Sequence, residues 1–259
     1  MQNKLSIVIT GSTGGIGHGL ALEFLKRDHQ VIINGRSGKA VSKTVSELEK
    51  QGYDVMGVPG DVCEESTFQS IIVQAMARYG KIDIWINNAG IPQAYKFFHE
   101  LDSSDIERLV SVNITALMLG TKMAINLFKK QGYGLVLNME GLGSDGRMMK
   151  KLSLYGTSKR AVQYFTKSVS REVEEKAIRV GVISPGMVKT NFLKNAEQEG
   201  TSEEQIRTRK VFDILAEEVD VVSAVLVKKI LKSKKKYDRI EFLTFRRLVP
   251  KLIRLLFVR

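Results

Sequence analysis

The chain has 259 residues, one cysteine and a formal net charge of +12 at pH 7. This length suits one large α/β domain or two small ones, and either can bury a substantial core. A single cysteine, Cys63, excludes an intramolecular disulfide, and the three histidines show no metal-ligand spacing, so we expect no metal site. Most of the charge, +10, lies between Lys228 and Arg259. Because the body of the chain is nearly neutral, we expect no nucleic-acid partner.

The N-terminal residues bear on where the protein resides. The first ten, MQNKLSIVIT, have the pattern of a buried strand. We therefore expect no cleavable signal peptide, and no apolar run has the length needed to cross a bilayer. These features predict a cytoplasmic protein, with peripheral contact to a membrane left open.

Short apolar segments alternate with amphipathic stretches along the chain. The strand candidates are residues 5–9, 30–34, 53–58, 82–87, 134–139, 178–184 and 240–243. Segments between them, such as 102–130 and 153–177, have helical periodicity. Continuously apolar strands joined by helices predict a parallel sheet covered on both faces. We predict an α/β fold, a single Rossmann-type doubly wound parallel sheet with helices on both faces, in one domain over residues 1–259.

A glycine-rich turn follows the first strand candidate. In TGSTGGIGHGLALEFLKR, which starts at residue 10, Gly11, Gly15 and Gly17 lie at the turn and in the first helical residues. Without side chains there, the backbone can approach a pyrophosphate at the positive end of the helix. Glycines alone also fit a tight turn, but strand, turn and helix follow here in the order that a dinucleotide site requires. The pattern predicts a bound dinucleotide.

The end of the second strand candidate indicates which dinucleotide. The segment INGRSGK, residues 33–39, has no acidic residue to hold a free ribose 2′-hydroxyl. Arg36 stands there instead, with Ser37 and Lys39 beside it, and a guanidinium can pair with a 2′-phosphate. The alternative is a solvated surface arginine. The pattern favours NADP over NAD.

Tyr155 and Lys159 form the candidate reacting centre. They are four residues apart in a segment with helical periodicity, so they share one helix face. An adjacent ammonium stabilises a phenolate, so we expect Lys159 to lower the pKa of Tyr155. Tyr155 would pass a proton to a carbonyl oxygen while hydride arrives from the nicotinamide, and Lys159 would also hold the ribose. Because this spacing is common on helix surfaces, the prediction depends on the glycine turn upstream.

Six motifs occur in an order and spacing that resembles the short-chain dehydrogenase/reductase family. They are TGSTGGIG (10–17), DV (61–62), NNAG (87–90), VNITA (112–116), YGTSK (155–159) and SPGMVKT (184–190). The resemblance implies a cofactor site made of Gly11, Ser12, Thr13, Gly15, Ile16, Gly17, Arg36, Ser37, Asp61, Val62, Asn88, Ala89, Gly90, Tyr155, Lys159, Pro185, Gly186, Val188 and Thr190. It also implies that Asn113 holds a water in the proton relay. The asparagines of NNAG are partly structural in such proteins, so they would brace the sheet or touch the ligand.

One residue of the family's site is missing. The family places a serine after the fifth strand, where it hydrogen-bonds the substrate oxygen. Here the segment is NMEGLGSDG (138–146), and the serine position falls at Glu140 or Gly141. Ser144 is the nearest hydroxyl downstream, and a glycine-rich loop can carry it or a backbone N–H into the gap. The candidate catalytic residues are therefore Tyr155, Lys159, Asn113 and Ser144.

The same loop resembles the chlorophyll(ide) b reductase branch of the family, as does the C-terminal stretch IEFLTFRRLVPKLIRLLF. Such enzymes use NADPH to reduce the formyl group of a large, flat porphyrinoid. The resemblance implies an NADPH-dependent reductase of a bulky lipophilic carbonyl compound, with a chlorophyll b-like pigment as one candidate. Two alternatives stay open: a reductase of small or acyl-carrier-bound ketones, and a catalytically silent NADP-binding regulator.

The basic C-terminal tail, about residues 240–259, has the pattern of an amphipathic helix. Apolar residues from Phe245 to Leu256 recur at helical spacing, and Arg247, Lys251 and Arg254 lie across from them. Such a helix can lie in a membrane interface or pack on the protein itself or on a neighbouring subunit. The family resemblance further implies homodimers or homotetramers formed through segments 102–130 and 153–177.

Overall fold

One parallel sheet organises the protein. The computed structural model describes residues 4–189 and 216–243. Within them the sheet order is β3-β2-β1-β4-β5-β6-β7, and every pairing is parallel. The strands are β1 (Ser6–Ile9), β2 (Gln30–Gly35), β3 (Val55–Pro59), β4 (Ile84–Asn87), β5 (Gly134–Met139), β6 (Ile178–Ser184) and β7 (Arg239–Glu241).

Helices cover both faces of the sheet. They are α1 (Gly15–Leu25), α2 (Gly38–Glu49), α3 (Glu65–Tyr79), α4 (Ser103–Val110), α5 (Ala116–Gln131), α6 (Ser153–Glu172) and α7 (Val219–Lys232), with a 3₁₀ turn at Phe98–Glu100 and a π turn at Ser111–Thr115. Successive residues of a strand point to opposite faces. Ile7 and Ile9 accordingly pack with α1, α2 and α7, whereas Val8 packs with α3 and α5. The predicted doubly wound fold is confirmed.

Two helices differ from the sequence prediction. Helix α6 ends at Glu172 rather than at residue 177, because Val173 adopts an extended backbone and buries its side chain in the core. The segment α4, π turn and α5 is one continuous helix, 103–131, that is long and apolar enough by length and composition to cross a bilayer. We had expected no such run. Its Ala124 and Phe128 are fully buried against the sheet, as in a core helix of a globular domain.

The strand order determines where a ligand can bind. Strand β1 lies between β2 and β4, so the connections that leave β1 and β4 pass to opposite faces of the sheet. In open parallel sheets, such a switch point forms a crevice at the carboxyl ends of the strands. The glycine turn after β1 and the NNAG segment at the end of β4 meet at this crevice.

Candidate active site

A cavity of about 560 Å³ lies at the carboxyl ends of the strands, within the usual size range of ligand pockets. Most of the residues that the sequence assigns to the cofactor line it, together with both reacting residues: Gly11, Thr13, Gly15, Ile16, Gly17, Arg36, Asp61, Val62, Asn88, Ala89, Gly90, Tyr155, Lys159, Pro185, Gly186 and Val188. Ser12, Ser37, Asn113 and Ser144 are not among its lining residues. Thr190 lies outside the described residues, as does the tail beyond residue 243.

The glycine turn leaves room for an anion at the start of α1. Gly11 has a φ of +61°, and a Cβ added there would lie 2.9 Å from the Cα of Ala89. Gly14, which we did not predict, is the N-cap of α1 and makes no side-chain cap. Within the part of the chain that the structure describes, a Cβ on Gly14 would meet nothing within 4 Å, although the residue lines the cavity. The open space beside the positive end of the helix therefore fits a pyrophosphate.

Two serines of the predicted cofactor site turn their side chains elsewhere. The Ser12 hydroxyl donates to the Ile9 carbonyl at 2.6 Å and accepts from the Asn34 N–H at 3.2 Å. The Ser37 hydroxyl accepts from the Ala40 N–H at 3.3 Å and so caps α2. Both hydroxyls satisfy backbone groups of the turns in which they lie, and their contact with the cofactor stays a prediction.

The NNAG segment is partly structural, as the family resemblance implied. The Asn88 amide donates to the carbonyls of Thr10 at 2.8 Å and Gly11 at 3.0 Å. The Asn87 amide donates to the Asn138 side chain at 2.8 Å, and neither residue lines the cavity. These bonds hold the glycine turn against β4, while Asn88 also lines the cavity.

Arg36 is placed where the sequence predicted. It follows β2, is exposed to solvent and lines the same cavity as Asp61 and the glycine turn. No carboxylate occupies the end of β2, which closes with Asn34 and Gly35. The site therefore fits a dinucleotide that carries a phosphate on its adenine ribose.

Tyr155 and Lys159 lie together on one face of α6. The Lys159 Nζ is 5.6 Å from the centroid of the Tyr155 ring and donates to the Met139 carbonyl at 3.2 Å. Burial lowers the pKa of the Lys159 ammonium to about 8. Burial also raises the pKa of the Tyr155 phenol, opposite to the direction that we expected from the lysine. The phenol is therefore protonated at neutral pH and can donate that proton.

Gly141, one of the two positions at which the family's serine falls, has no room for a side chain. A Cβ added to Gly141 would lie 2.5 Å from the Tyr155 hydroxyl and 3.1 Å from the Cγ of Lys159. Real Cβ atoms do not approach other atoms so closely. The reacting pair thus fills the space that a side chain at residue 141 would need.

Ser144 does not reach the cavity in this structure. It is 3% exposed, and its hydroxyl donates to the Glu140 carboxylate at 3.3 Å. Its carbonyl accepts from Arg160 at 2.9 Å, which fixes the loop from the other side. The hydroxyl is drawn to a buried carboxylate, so direct donation from Ser144 to a substrate lacks geometric support.

Two residues near the reacting centre were missed by the sequence analysis. Glu140 has a fully buried side chain that pairs with Arg239 of β7 at 2.9 Å. Gln93 accepts from the backbone N–H of Tyr155 at 2.9 Å and donates to the Lys151 carbonyl at 2.9 Å. Neither belongs to a motif, and both contacts join distant parts of the chain, so no local signal marks them.

Asn113 lies in the π turn between α4 and α5 and is fully buried. Its side chain accepts from the Ile91 N–H at 2.8 Å and donates to the Ile91 carbonyl at 3.0 Å. A Cβ on Gly90 would lie 3.3 Å from this side chain and 3.7 Å from the Lys159 Nζ. Asn113 therefore anchors the segment after NNAG beside the lysine, and its part in a water relay stays a prediction.

Apolar side chains are exposed on the loops after β4 and β5, which also supply lining residues of the cavity. Phe98 is 55% and Met148 95% exposed, and Phe97 and Met149 are also exposed. Met149 lines the cavity itself. The Lys151 ammonium lies 5.2 Å from the centroid of the Phe97 ring, which joins the loop after β4 to the loop after β5.

Known proteins share this fold and these motifs. Residues 6–201 match the family model described as short chain dehydrogenase. The chain is 36% identical over 234 residues to a chlorophyll(ide) b reductase of Arabidopsis thaliana, which covers 88% of this chain and 65% of the relative. It is 32% identical over 266 residues to a probable chlorophyll(ide) b reductase of Oryza sativa subsp. japonica, covering 96% of this chain and 51% of the relative. Both relatives are named as chloroplastic proteins.

A solved structure supports the cofactor prediction. The structure of ElxO with NADP bound has a TM-score of 0.76 and 26% identity, and the match covers 92% of this chain and 98% of that one. NADP thus occupies the same fold in a neighbour, in agreement with the predicted cofactor. The chain spans about half to two thirds of the length of the two plant reductases. It belongs to the short-chain dehydrogenase family.

Proposed function

We propose that this protein uses NADPH to reduce the carbonyl group of a bulky lipophilic compound, with the formyl group of a chlorophyll b-like pigment as the leading candidate. The observation that carries the proposal is the set of exposed apolar side chains, Phe97, Phe98, Met148 and Met149, on the loops after β4 and β5, which also supply lining residues of the cavity. Exposed apolar residues grouped at a cavity are typical of a surface that meets an apolar partner or ligand. The names of the two plant reductases point to the same substrate class.

The chain's own residues can perform the proton transfer. When bound, NADPH supplies the hydride. Tyr155 is protonated at neutral pH and lines the cavity, so it can donate its proton to the carbonyl oxygen. Lys159 places a cation beside that phenol, and Gln93 fixes the backbone of Tyr155. The backbone N–H of Leu142, a residue that lines the cavity beside Gly141, is a candidate donor in place of the absent serine.

A substrate panel tests this proposal. We would follow NADPH oxidation with detergent-solubilised chlorophyll b, chlorophyllide b, diacetyl and an acetoacetyl thioester, and identify products by chromatography. We expect turnover of the porphyrinoid aldehydes to the hydroxymethyl compounds. Tyr155→Phe should abolish it while NADPH still binds, because that variant loses only the transferable proton. Preferred turnover of the small ketones would replace this function with the first alternative, and NADPH binding without any turnover would indicate a silent regulator.

Contact with a membrane is a second part of the proposal. It rests on the sequence of residues 245–259, which lie outside the described residues. If this tail is an interfacial helix, deletion of 245–259 should abolish binding to anionic liposomes, and salt should weaken binding of the full chain. If the truncated protein is instead insoluble, the tail packs on the protein. The expected location is cytoplasmic, with this peripheral contact.

Self-association is the last part of the proposal. A groove between α5 and α6 is lined by the partly buried side chains of Ile125, Phe165 and Val169. These are the helices through which the family resemblance implies homodimers or homotetramers. Light scattering of the purified protein should give the mass of two or four chains, and the mass of one chain would contradict this.

A further inference from the structure

Glu140 is a buried carboxylate between the reacting centre and the sheet edge. It directly follows β5, its backbone N–H donates to the Ile183 carbonyl at 2.8 Å, and its side chain has no solvent exposure. One oxygen, Oε2, accepts from the Arg239 Nε at 2.9 Å and from the Ser144 hydroxyl at 3.3 Å. Within residues 4–189 and 216–243, the other oxygen, Oε1, has no hydrogen-bond partner.

The two partners of Glu140 tie it to different parts of the site. Arg239 belongs to the edge strand β7 and also pairs with Glu241. Ser144 belongs to the glycine-rich loop that brings Gly141 against the Tyr155 hydroxyl. A carboxylate held from the sheet can therefore fix the position of that loop.

We propose that Glu140 is a positioning residue of this active site, which holds the 141–146 loop against Tyr155 and supplies the negative charge opposite the buried Lys159 ammonium. This role rests on the proposed reduction for its chemistry, but its charge effect is a property of the protein without substrate.

Because Lys159 is buried, a nearby anion stabilises its charged form. Its Nζ is bound to the carbonyl of Met139, the residue before Glu140, and its side chain is 4% exposed. Burial disfavours the charged form of a lysine, whereas an opposite charge favours it. Burial does lower the pKa of Lys159, and the carboxylate of Glu140 acts against that lowering.

Other titratable groups surround the pair. Tyr155 shares α6 with Lys159, and Tyr237, Arg239 and Glu241 lie at the β7 edge around Glu140. Burial raises the pKa of Glu140, and Arg239 acts in the opposite direction. The Arg239 side chain is 35% exposed and also pairs with Glu241. It is therefore not left as an unpaired buried cation when Glu140 loses its charge.

Glu140→Gln is the decisive variant, because it keeps the shape of the side chain and removes its charge. We would label lysine at Cε with ¹³C, assign Lys159 with Lys159→Arg, and follow its titration by NMR in the cofactor-free protein. In Glu140→Gln the titration of Lys159 should move to lower pH by about one unit, the order expected for loss of a nearby opposite charge. The upper limb of the pH profile for NADPH binding should move in the same direction.

Matched variants separate this role from a general structural one. Glu241→Gln removes the other carboxylate that pairs with Arg239, and the Lys159 titration should stay in place. Glu140→Asp keeps the charge and should restore most of the titration while it still weakens the bond to Ser144. If Glu140→Gln does not fold, the double variant Glu140→Gln/Arg239→Met, which also removes the cation that Glu140 pairs with, carries the same expectation.

The result that overturns the proposal is a Lys159 titration unchanged in Glu140→Gln or in the double variant. Equal shifts in Glu140→Gln and Glu241→Gln would overturn it too, because the effect would then come from net charge. Neither measurement uses a carbonyl substrate, so failure of the substrate panel leaves this result unaffected.

Discussion

At the scale of single residues, Gly141 gives a sharp test of the site. Gly141→Ser restores the residue type that the family places beside the reacting tyrosine. It should nevertheless lower turnover by about 100-fold or more, because its Cβ would lie 2.5 Å from the Tyr155 hydroxyl and would displace it. Turnover of the active aldehyde in the panel, with NADPH affinity measured by fluorescence, checks this.

A glycine next to Tyr155 provides the control for that variant. Among the described residues, a Cβ on Gly156 would meet only the Gly143 Cα, at 3.9 Å. Gly156→Ala should therefore remain within a few-fold of the unmodified protein. If Gly141→Ser is as active as Gly156→Ala, the close approach at residue 141 is not a feature of the working site.

We assign the preference for NADPH over NADH to Arg36. Arg36→Ala should weaken NADPH binding by about tenfold or more and leave NADH affinity nearly unchanged, because only NADPH carries the ribose phosphate that a guanidinium can pair with. Fluorescence titrations with both cofactors measure this. Lys39→Ala, which removes another exposed cation of the same segment, shows how much of the effect is general attraction. Equal affinity of the unmodified protein for both cofactors would contradict the assignment.

The site residues that the sequence singled out are marked by local patterns, which other residues of the site lack. Gly11, Arg36, Tyr155 and Lys159 follow strands or share a helix face at fixed spacing, so a local pattern is enough to find them. Glu140 meets Arg239 across 99 residues of sequence. Such a contact depends on which strand lies at the sheet edge, and that order is not encoded in any short segment.

At the scale of elements, the start of α6 depends on a residue from another loop. Leu152 is the N-cap of α6 and makes no side-chain cap, whereas Gln93 accepts from the Tyr155 N–H at 2.9 Å. Gln93→Ala should lower the free energy of unfolding by about 1 kcal/mol, as loss of a helix cap does. That corresponds to a fall in Tm of about 2–4 °C.

The same change should act on turnover, since Gln93 fixes the backbone of the proton donor. We expect kcat to fall in Gln93→Ala while NADPH affinity is retained. Gln51→Ala is the matched control, because Gln51 is an exposed glutamine whose side chain donates to the Glu47 carbonyl of its own helical segment. A Gln93→Ala variant as stable and active as Gln51→Ala would show that the cap is dispensable.

Strands were predicted more closely than helix ends, for a physical reason. The candidates 134–139 and 178–184 match β5 and β6 fully. A short apolar run rich in β-branched residues and bounded by polar residues strongly favours a strand over other secondary structures. The end of α6 was placed at residue 177 instead of Glu172. Val173 continues the apolar pattern of the helix but leaves the helical backbone, and periodicity alone does not detect that change.

At the scale of the whole molecule, part of the positive charge near the C-terminus is engaged in contacts within the fold. Besides the pair of Arg239 with Glu140, the Lys229 ammonium donates to the Glu241 carbonyl at 2.6 Å. The Lys236 ammonium donates to the Ile178 carbonyl at 2.8 Å. These cations hold α7 and β7 onto the sheet, so the charge available to a membrane or another anionic partner is smaller than the sequence total.

The buried ammonium of Lys159 predicts how stability varies with pH. Its pKa falls from 10.5 in the unfolded chain to about 8 in the folded protein. Between these values the unfolded chain binds more protons, so the contribution of Lys159 to the free energy of unfolding rises with pH and is lost as pH falls through 8. At neutral pH the buried charge costs about 3 kcal/mol.

Lys159→Met removes this charge and should therefore stabilise the protein at pH 7, by up to about 3 kcal/mol, while it destroys the reacting centre. The gain should shrink as pH rises from 8 towards 10.5, since the folded lysine is by then neutral in the unmodified protein. Urea unfolding of both proteins at pH 7, 8, 9 and 10 measures the difference. Lys167→Met, which replaces an exposed lysine of the same helix, is the control for general effects of the substitution. A Lys159→Met variant that is less stable at pH 7 than at pH 10, relative to the unmodified protein, would show that the lysine is charged and well compensated in the fold.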